Sequence, residues 1–270
     1  MDELRAFLEE DAPTGDVTSE ALIPTTATSK AVVTSGGDGI LAGAEEAAWL
    51  FADGGLEVTF IKKDGDSVSA GDEVLVIEGS LREIMLRERV CLNIMMFMSG
   101  TATETSKVLK ACHAVNPHVS VAATRKTLPG LRALQKKAVR LAGGESHRES
   151  LSHHILVKDN HIQAVGGMDN ALRALKTAPK TIIEVEAETE QEAMAAAASG
   201  VDIVLLDNMS PAEAGVCYRS IKDSYPQVIV EVSGGIGPEN ASAYAECADR
   251  ISMGCLTHSA PSLQFSLHLF

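Results

Sequence analysis

Between Thr124 and Lys158 the chain carries eight Lys or Arg residues and two carboxylates, Glu145 and Glu149. That stretch is formally +6, in a chain of 270 residues whose net charge is −14. A polyanionic small molecule accounts for such a concentration, because a cleft of one sign focuses its field on a charged ligand. Arg125, Lys126, His147, Arg148 and Lys158 suit carboxylate or phosphate oxygens, which Arg can bind through two parallel hydrogen bonds. Glu186 and Asp207, further on, suit a Mg²⁺ ion that keeps its waters and bridges substrate phosphates, or ribose hydroxyls beside a developing cation. Ser233-Gly234-Gly235-Ile236 is a Gly-rich turn whose backbone N–H groups can cradle a phosphate, and Gly254-Cys255-Leu256 repeats that arrangement one strand later. Two phosphate cradles, an acidic pair and a cationic pocket suggest a phosphorylated sugar and an anionic acceptor. Arg132, Lys136, Lys137 and Arg140 differ from the other cations. They share helical spacing opposite Leu131, Leu134, Ala138 and Leu141, which reads as a solvated face or a subunit interface.

The elements that must position these groups follow from the apolar pattern. From residue 119 onward, apolar strands at 119–124, 154–158, 181–187, 202–207, 228–233 and 250–255 alternate with helices near 130–142, 163–177, 189–199, 211–222 and 238–247. Such alternation means a parallel α/β sheet, open or closed. Polar residues sit at the strand ends, at Thr124-Arg125-Lys126, Lys158, Glu186, Asp207, Ser233 and Gly254. Charges at successive strand ends share one rim, and in α/β barrels that rim holds the active site. No G-x-G-x-x-G follows the first of these strands, which disfavours a dinucleotide fold. Upstream, the pattern predicts helices over 2–10, 43–52, 81–98 and 102–115, with a strand over 29–36. Ser99-Gly100-Thr101 reads as a break, so the expected domains are 1–101 and 102–270, with a C-terminal tail that packs back on the first. Residues 64–79 read as a compact β-hairpin similar to the core of biotinyl and lipoyl carriers, without the modifiable Lys a carrier needs.

Composition limits the function classes. Hydrophobic residues make up 45% and charged residues 22%, ordinary for a globular protein, while only 4% aromatics force an aliphatic core. The net −14 argues against a general nucleic-acid or anionic-membrane binder. Five widely spaced cysteines without a C-x-x-C pair fit reduced thiols rather than a disulfide frame or zinc knuckle. An acidic N-terminal segment without an apolar signal core, and no apolar run long enough for a bilayer, lead to a cytoplasmic expectation.

The motifs taken together resemble the quinolinate phosphoribosyltransferase family. They are T-R-K-T-x-P-G-L-R at 124–132, G-G-x-x-H-R at 143–148, L-V-K-D-N-H at 156–161, E-V-E at 184–186, L-L-D-N at 205–208, S-G-G-I at 233–236 and I-S-M-G-x-L-T-H-S at 251–259. G-D-x-T-S at 15–19 and R-E-R-V-x-L-N at 87–93 extend the resemblance over nearly the whole chain. It implies an N-terminal α/β sandwich domain, an incomplete α/β barrel, and a homodimer or a larger assembly such as a hexamer. The implied reaction joins quinolinate to phosphoribosyl pyrophosphate with Mg²⁺, giving nicotinate mononucleotide, pyrophosphate and CO₂ in NAD biosynthesis. By the same resemblance Arg125, His147 and Arg148 hold the quinolinate carboxylates, helped by Arg89 of a second subunit. Lys126 and Lys158 contact pyrophosphate and substrate carboxylate, and Glu186 and Asp207 flank the ribose and its metal, acting with the two lysines as the catalytic set. Ser233, Gly234, Gly235 and Gly254 bind the 5′-phosphate near His258, and Thr124, Met253 and Cys255 complete the binding set. Asn160 and His161 read as loop-fixing residues.

One departure stands out. The family usually has Asp five residues before the motif Lys, and here that position is His153, with His154 beside it. A His pair suggests a metal, but adjacent residues on a strand point to opposite faces. Two other functions compete with the main reading. One is a same-fold paralogue associated with molybdenum transport, which typically lacks the K-D-N-H present at 158–161. The other is a non-catalytic binder of phosphorylated pyridines, which need not keep Glu186 and Asp207.

Overall fold

The computed structural model describes residues 2–270. Its strands in chain order are β1 (Thr28–Ser35), β2 (Gly39–Ile40), β3 (Glu57–Phe60), β4 (Ser67–Val68), β5 (Glu73–Ser80), β6 (Ser120–Ala122), β7 (Ile155–Val157), β8 (Ile183–Ala187), β9 (Ile203–Asp207), β10 (Ile229–Ser233), β11 (Arg250–Ser252) and β12 (Phe265–Leu269). The helices are α1 (Asp2–Asp11), α2 (Val17–Leu22), α3 (Ala44–Asp53), α4 (Leu81–His113), α5 (Arg132–Leu141), α6 (Asp159–Ala164), α7 (Met168–Leu175), α8 (Glu190–Ala198), α9 (Pro211–Ser224) and α10 (Cys255–His258). Two compact units result, one of Met1–Ser106, Ala133–Ala142 and Ala260–Phe270, the other of Lys107–Arg132 and Gly143–Ser259.

The first unit is built on an antiparallel sheet in the order β12-β1-β5-β3. β1 lies inside it, and its inward Ala31 and Val33 are fully buried beside Leu75 and Ile77 of β5. Helices α3 and α4 supply Leu50, Phe51, Ile84, Met95 and Met98 to the same aliphatic core. The expected hairpin at 64–79 does not form. β4 pairs with β2, whereas β5 enters the main sheet between β1 and β3. A Ser69–Asp72 turn separates them, with Asp72 accepting from the Ser69 N–H at 2.8 Å, so the chain changes sheet where local pattern predicts a return.

The expected break at Ser99-Gly100-Thr101 is also absent, because α4 runs unbroken for 33 residues. Gly100 is there for packing. A Cβ on it would overlap the Pro261 carbonyl oxygen and approach Ser262 Cα to 2.8 Å, so the tail crosses the helix where a side chain is missing. The tail then forms β12 and pairs with β1.

Residues 133–141 of the basic helix α5 belong to the first unit, and the helix is solvated only in part, with Arg140 exposed. Gln135 and Lys136 are fully buried, as is Ala138 in the core. Lys137 Nζ reaches Glu45 at 2.8 Å, Glu46 at 2.7 Å and Asp64 at 3.3 Å. Burial alone would lower its pKa, but Glu45 and Glu46 outweigh that and hold it above the ordinary lysine range. A helical charge stripe is read as solvated by default, and here the acids of α3 neutralise Lys137 within it.

The second unit holds six parallel strands in the order β6-β11-β10-β9-β8-β7. Sequence neighbours are sheet neighbours all the way round except at β6 and β7, where the ring stays open. This is an incomplete barrel. Its helices start as their sequences dictate. Ser210 caps α9 with Pro211 in the first turn and Glu213 closing a capping box, Thr189 caps α8, and Gly200 turns the chain at φ 86° beyond it. The helix expected over 238–247 is reduced to a 3₁₀ turn at Ala241–Tyr244, because Asn240 ties the preceding loop to Gly235 and Gly237. The helix expected over 163–177 splits into α6 and α7 at Gly166 and Gly167, both at positive φ. Among the described residues no helix is long and apolar enough to cross a membrane.

The Gly100 crossing yields a prediction. Gly100→Ala should lower unfolding free energy by about 1–3 kcal/mol, read by urea denaturation, since the clash is with backbone that cannot rotate away.

Candidate active site

Strand alternation decides what the barrel mouth contains. Glu184 and Glu186 share one face of β8, Leu205 and Asp207 that of β9, and Glu231 and Ser233 that of β10. Register places Glu186 beside Leu205 and Asp207 beside Ser233. Leu205, Asp207, Glu231 and Ser233 from these faces, with Thr124, Arg125, Lys126, His147, Arg148, Lys158 and Ser252, line a cavity of ≈ 300 Å³. Of the strand-end residues expected at the rim, Thr124, Arg125, Lys126, Lys158, Asp207 and Ser233 line this cavity, while Glu186 lines an adjoining acidic hollow with Asp159, Glu188 and Glu192.

The cations are close enough to strain one another. Burial, and after it the charge of Arg125, push Arg148 below the usual arginine range. Arg148 is held by the carbonyls of Ser150 and Leu151, at 3.1 and 3.3 Å. Two crowded guanidiniums in one cavity are relieved by an anion. Lys158 pairs with Glu186, whose other oxygen accepts from the Asp159 N–H at 3.4 Å. His161 Nδ1 accepts from the Lys158 N–H at 3.0 Å, the loop-fixing role its motif position suggests. Burial first, then the charge of Glu186, raise Asp207 above the ordinary carboxylate value. Glu186 and Asp207 offer carboxylate oxygens, the donors Mg²⁺ prefers.

Of the two expected cradles, the first is a tight turn and the second opens the short helix α10. Gly234 and Gly235 sit at φ 88° and 62°, which other residues rarely adopt. A Cβ on Gly234 would lie 2.7 Å from Asn208 N, and Asn208 also donates to Asp207 at 2.6 Å, so the turn and the carboxylate are fixed to each other. At Gly254 a Cβ would meet Lys126 Cδ at 2.8 Å and His258 Nε2 at 3.1 Å. Lys126 thus lies across the second cradle, and Thr257 anchors its carbonyl at 2.8 Å. The Met253 side chain is buried in the core, leaving only its main chain for a ligand, and Cys255 is half-buried. Arg89 is exposed on α4 in the first unit.

The strand-end rule missed a layer beneath the rim. Glu184 and Glu231 are fully buried. His147 Nε2 lies 3.2 Å from Glu184 and 3.1 Å from Glu231. His154 Nε2 lies 3.0 Å from the same Glu184 oxygen. Arg250 joins Glu231 at 3.2 Å and Glu145 at 2.8 Å. The signal was present, since a charge inside a parallel strand interrupts what is normally an apolar run. His153 and His154 lie in a turn ahead of β7, not on the strand, so opposite strand faces are not what separates them. His147, His154 and Glu184 place ligand-type atoms within 4.8 Å of one another. Among the described residues His147 Nε2 has no partner with aligned hydrogen-bond geometry. Burial would lower the His147 pKa, but Glu184 and Glu231 outweigh it and lift it to about 9. An imidazolium has no lone pair for a metal. The loop supports this placement: Glu145 bridges to β6 through bonds of 2.8 and 2.9 Å, and His147 sits at φ 52°.

The quinolinate phosphoribosyl transferase C-terminal domain model matches residues 101–268, and the N-terminal domain model matches 16–99. The chain belongs to the quinolinate phosphoribosyltransferase family. It is 40% identical to the probable nicotinate-nucleotide pyrophosphorylase (carboxylating) of Methanothermobacter thermautotrophicus, covering 100% of this chain and 98% of that one. It is 36% identical to the Homo sapiens nicotinate-nucleotide pyrophosphorylase (carboxylating), covering 98% and 90%. Among solved structures, NadC from Streptococcus pyogenes superposes with a TM-score of 0.93 at 37% identity, covering 100% of this chain and 95% of that one. The sandwich and open barrel are those of the family, as the motifs imply.

The raised His147 pKa fixes a pH dependence. The folded value, about 9, exceeds the ordinary 6.5, so the stabilisation is full below about pH 6.5 and is lost as pH rises through about 9. The stability gap between wild type and His147→Gln, from urea unfolding at pH 6 to 10, should therefore narrow across that window.

Proposed function

We infer that the protein is a decarboxylating quinolinate phosphoribosyltransferase, joining quinolinate to phosphoribosyl pyrophosphate to give nicotinate mononucleotide, pyrophosphate and CO₂. The observation that carries this reading is the cavity in which Arg125, Arg148 and His147 face Asp207 and the Ser233 turn. A dicarboxylate suits the crowded cations, and a phosphorylated sugar suits the turns and carboxylates. Full-length similarity to carboxylating nicotinate-nucleotide pyrophosphorylases supports it.

The residues divide the work. Arg125, Arg148 and His147 orient the two carboxylates, so that the ring nitrogen meets the sugar C1. Ser233, Gly234, Gly235 and Gly254 hold the 5′-phosphate. Glu186 and Asp207 face the oxocarbenium-like charge that develops as pyrophosphate leaves, and no protein nucleophile is needed. Lys126 and Lys158 meet the leaving pyrophosphate and the substrate carboxylate. Mg²⁺, which Glu186 and Asp207 would hold directly or through water, would neutralise the pyrophosphate oxygens. Loss of CO₂ leaves a carbanion beside the cationic ring nitrogen, which stabilises it. Arg89 of a second subunit closing on the quinolinate, a homodimeric or larger assembly, and a cytoplasmic location complete the reading.

The test is incubation with quinolinate, phosphoribosyl pyrophosphate and Mg²⁺, followed by detection of nicotinate mononucleotide and CO₂. Turnover with nicotinic acid but not quinolinate would sink the substrate assignment. Arg125→Ala and Lys158→Ala should each lower kcat/KM on the order of a hundredfold or more with an unchanged circular-dichroism melt, and near wild-type rates would refute their roles.

A further inference from the structure

His147 faces a chemical difficulty. A neutral imidazole carries one N–H and one lone pair. Its Nε2 is turned to two buried glutamates, and its side chain is only 6% exposed. Among the described residues none bonds the other ring nitrogen, Nδ1. If the single proton stayed at Nε2, Nδ1 would offer a lone pair to the cavity and repel a carboxylate. Only a doubly protonated ring donates at both ends. We propose that Glu184 and Glu231 are positioning residues that keep His147 cationic, so that its Nδ1–H meets a substrate carboxylate in the cavity.

The surrounding charges agree. Glu184 comes from β8, Glu231 from β10 and His154 from the turn before β7, while Arg250 of β11 stands behind Glu231 and is tied to Glu145. Arg250 answers only part of the acid, since among the described residues Glu231 Oε1 and Glu184 Oε1 have no hydrogen-bond partner. Two buried carboxylates on the inner face of a sheet, one of them lining an anion cavity, need a second cation. His147 is placed to be that cation. Raising its pKa to about 9 keeps it charged through neutral pH.

The carboxylate-binding half of this proposal rests on the quinolinate reading, and the protonation half does not. The experiment separates them. Histidine side-chain ¹⁵N NMR of the ligand-free protein, with His147→Gln for assignment, should show His147 doubly protonated at pH 7.5 and titrating near pH 9. Glu231→Gln should lower that titration by about one unit. The same variant should raise KM for quinolinate about tenfold with kcat little changed, and move the alkaline limb of kcat/KM down by about one unit. Glu231→Asp should restore both. A neutral His147 in the wild type at pH 7.5 overturns the proposal, and that measurement stands alone if Glu231→Gln does not fold. Zn²⁺ uptake at pH 7.5 that disappears in His154→Ala also overturns it. A cationic His147 with no turnover of quinolinate defeats the substrate reading and leaves the protonation clamp intact.

Discussion

Charge neutralisation inside the barrel is the constraint on which the rest depends. Glu184 and Glu231 lie fully buried on the inner faces of adjoining parts of one parallel sheet, where an unpaired carboxylate costs several kcal/mol. Arg250 and His147 answer them. For His147 to arrive there, the 143–148 loop must run back along the free edge of β6, and Glu145 secures that path with backbone bonds. The left-handed backbone at His147 is the local cost of aiming its ring downward. An anion cavity can then sit above carboxylates without repelling its ligand.

The rim works by the opposite device. Arg125 and Arg148 repel, and burial deepens the effect on Arg148. Across the mouth Glu186 and burial raise Asp207, while Lys158 and Lys126 oppose that rise. Neither side is settled by its own residues. A negatively charged ring acid on one side and a metal-bound sugar phosphate on the other would complete both. The floor pairs its charges internally and the rim does not, and His147 belongs to both, bound to the floor at Nε2.

The barrel was legible because its signals are local. Five-residue apolar runs, the capping box at Ser210 and the glycine after α8 identify strands and helices wherever the chain later goes. Polar residues at strand ends revealed Lys158, Glu186 and Asp207 for the same reason. Glu184 and Glu231 sit mid-strand, and their meaning appears only when His147, distant in sequence, is folded onto them. Pairing was the harder part. Residues 64–79 carry a hairpin pattern, yet β4 and β5 find different sheets. Gly100 signals a helix break by composition, and only the tail at Pro261 and Ser262 explains it. The stripe of Arg132 to Arg140 looked solvated because the acids of α3 that neutralise Lys137 lie about ninety residues earlier.

The partition of the chain also bears on its synthesis. The first unit is assembled from three separate segments, the last beginning at Ala260. Its sheet therefore lacks an edge strand, and its long helix lacks the cover over Gly100, until the segment from Ala260 onward has been made. The ribosome delivers the second unit's segments between those of the first. The β1 edge that later receives β12 stays open while all of the second unit is made.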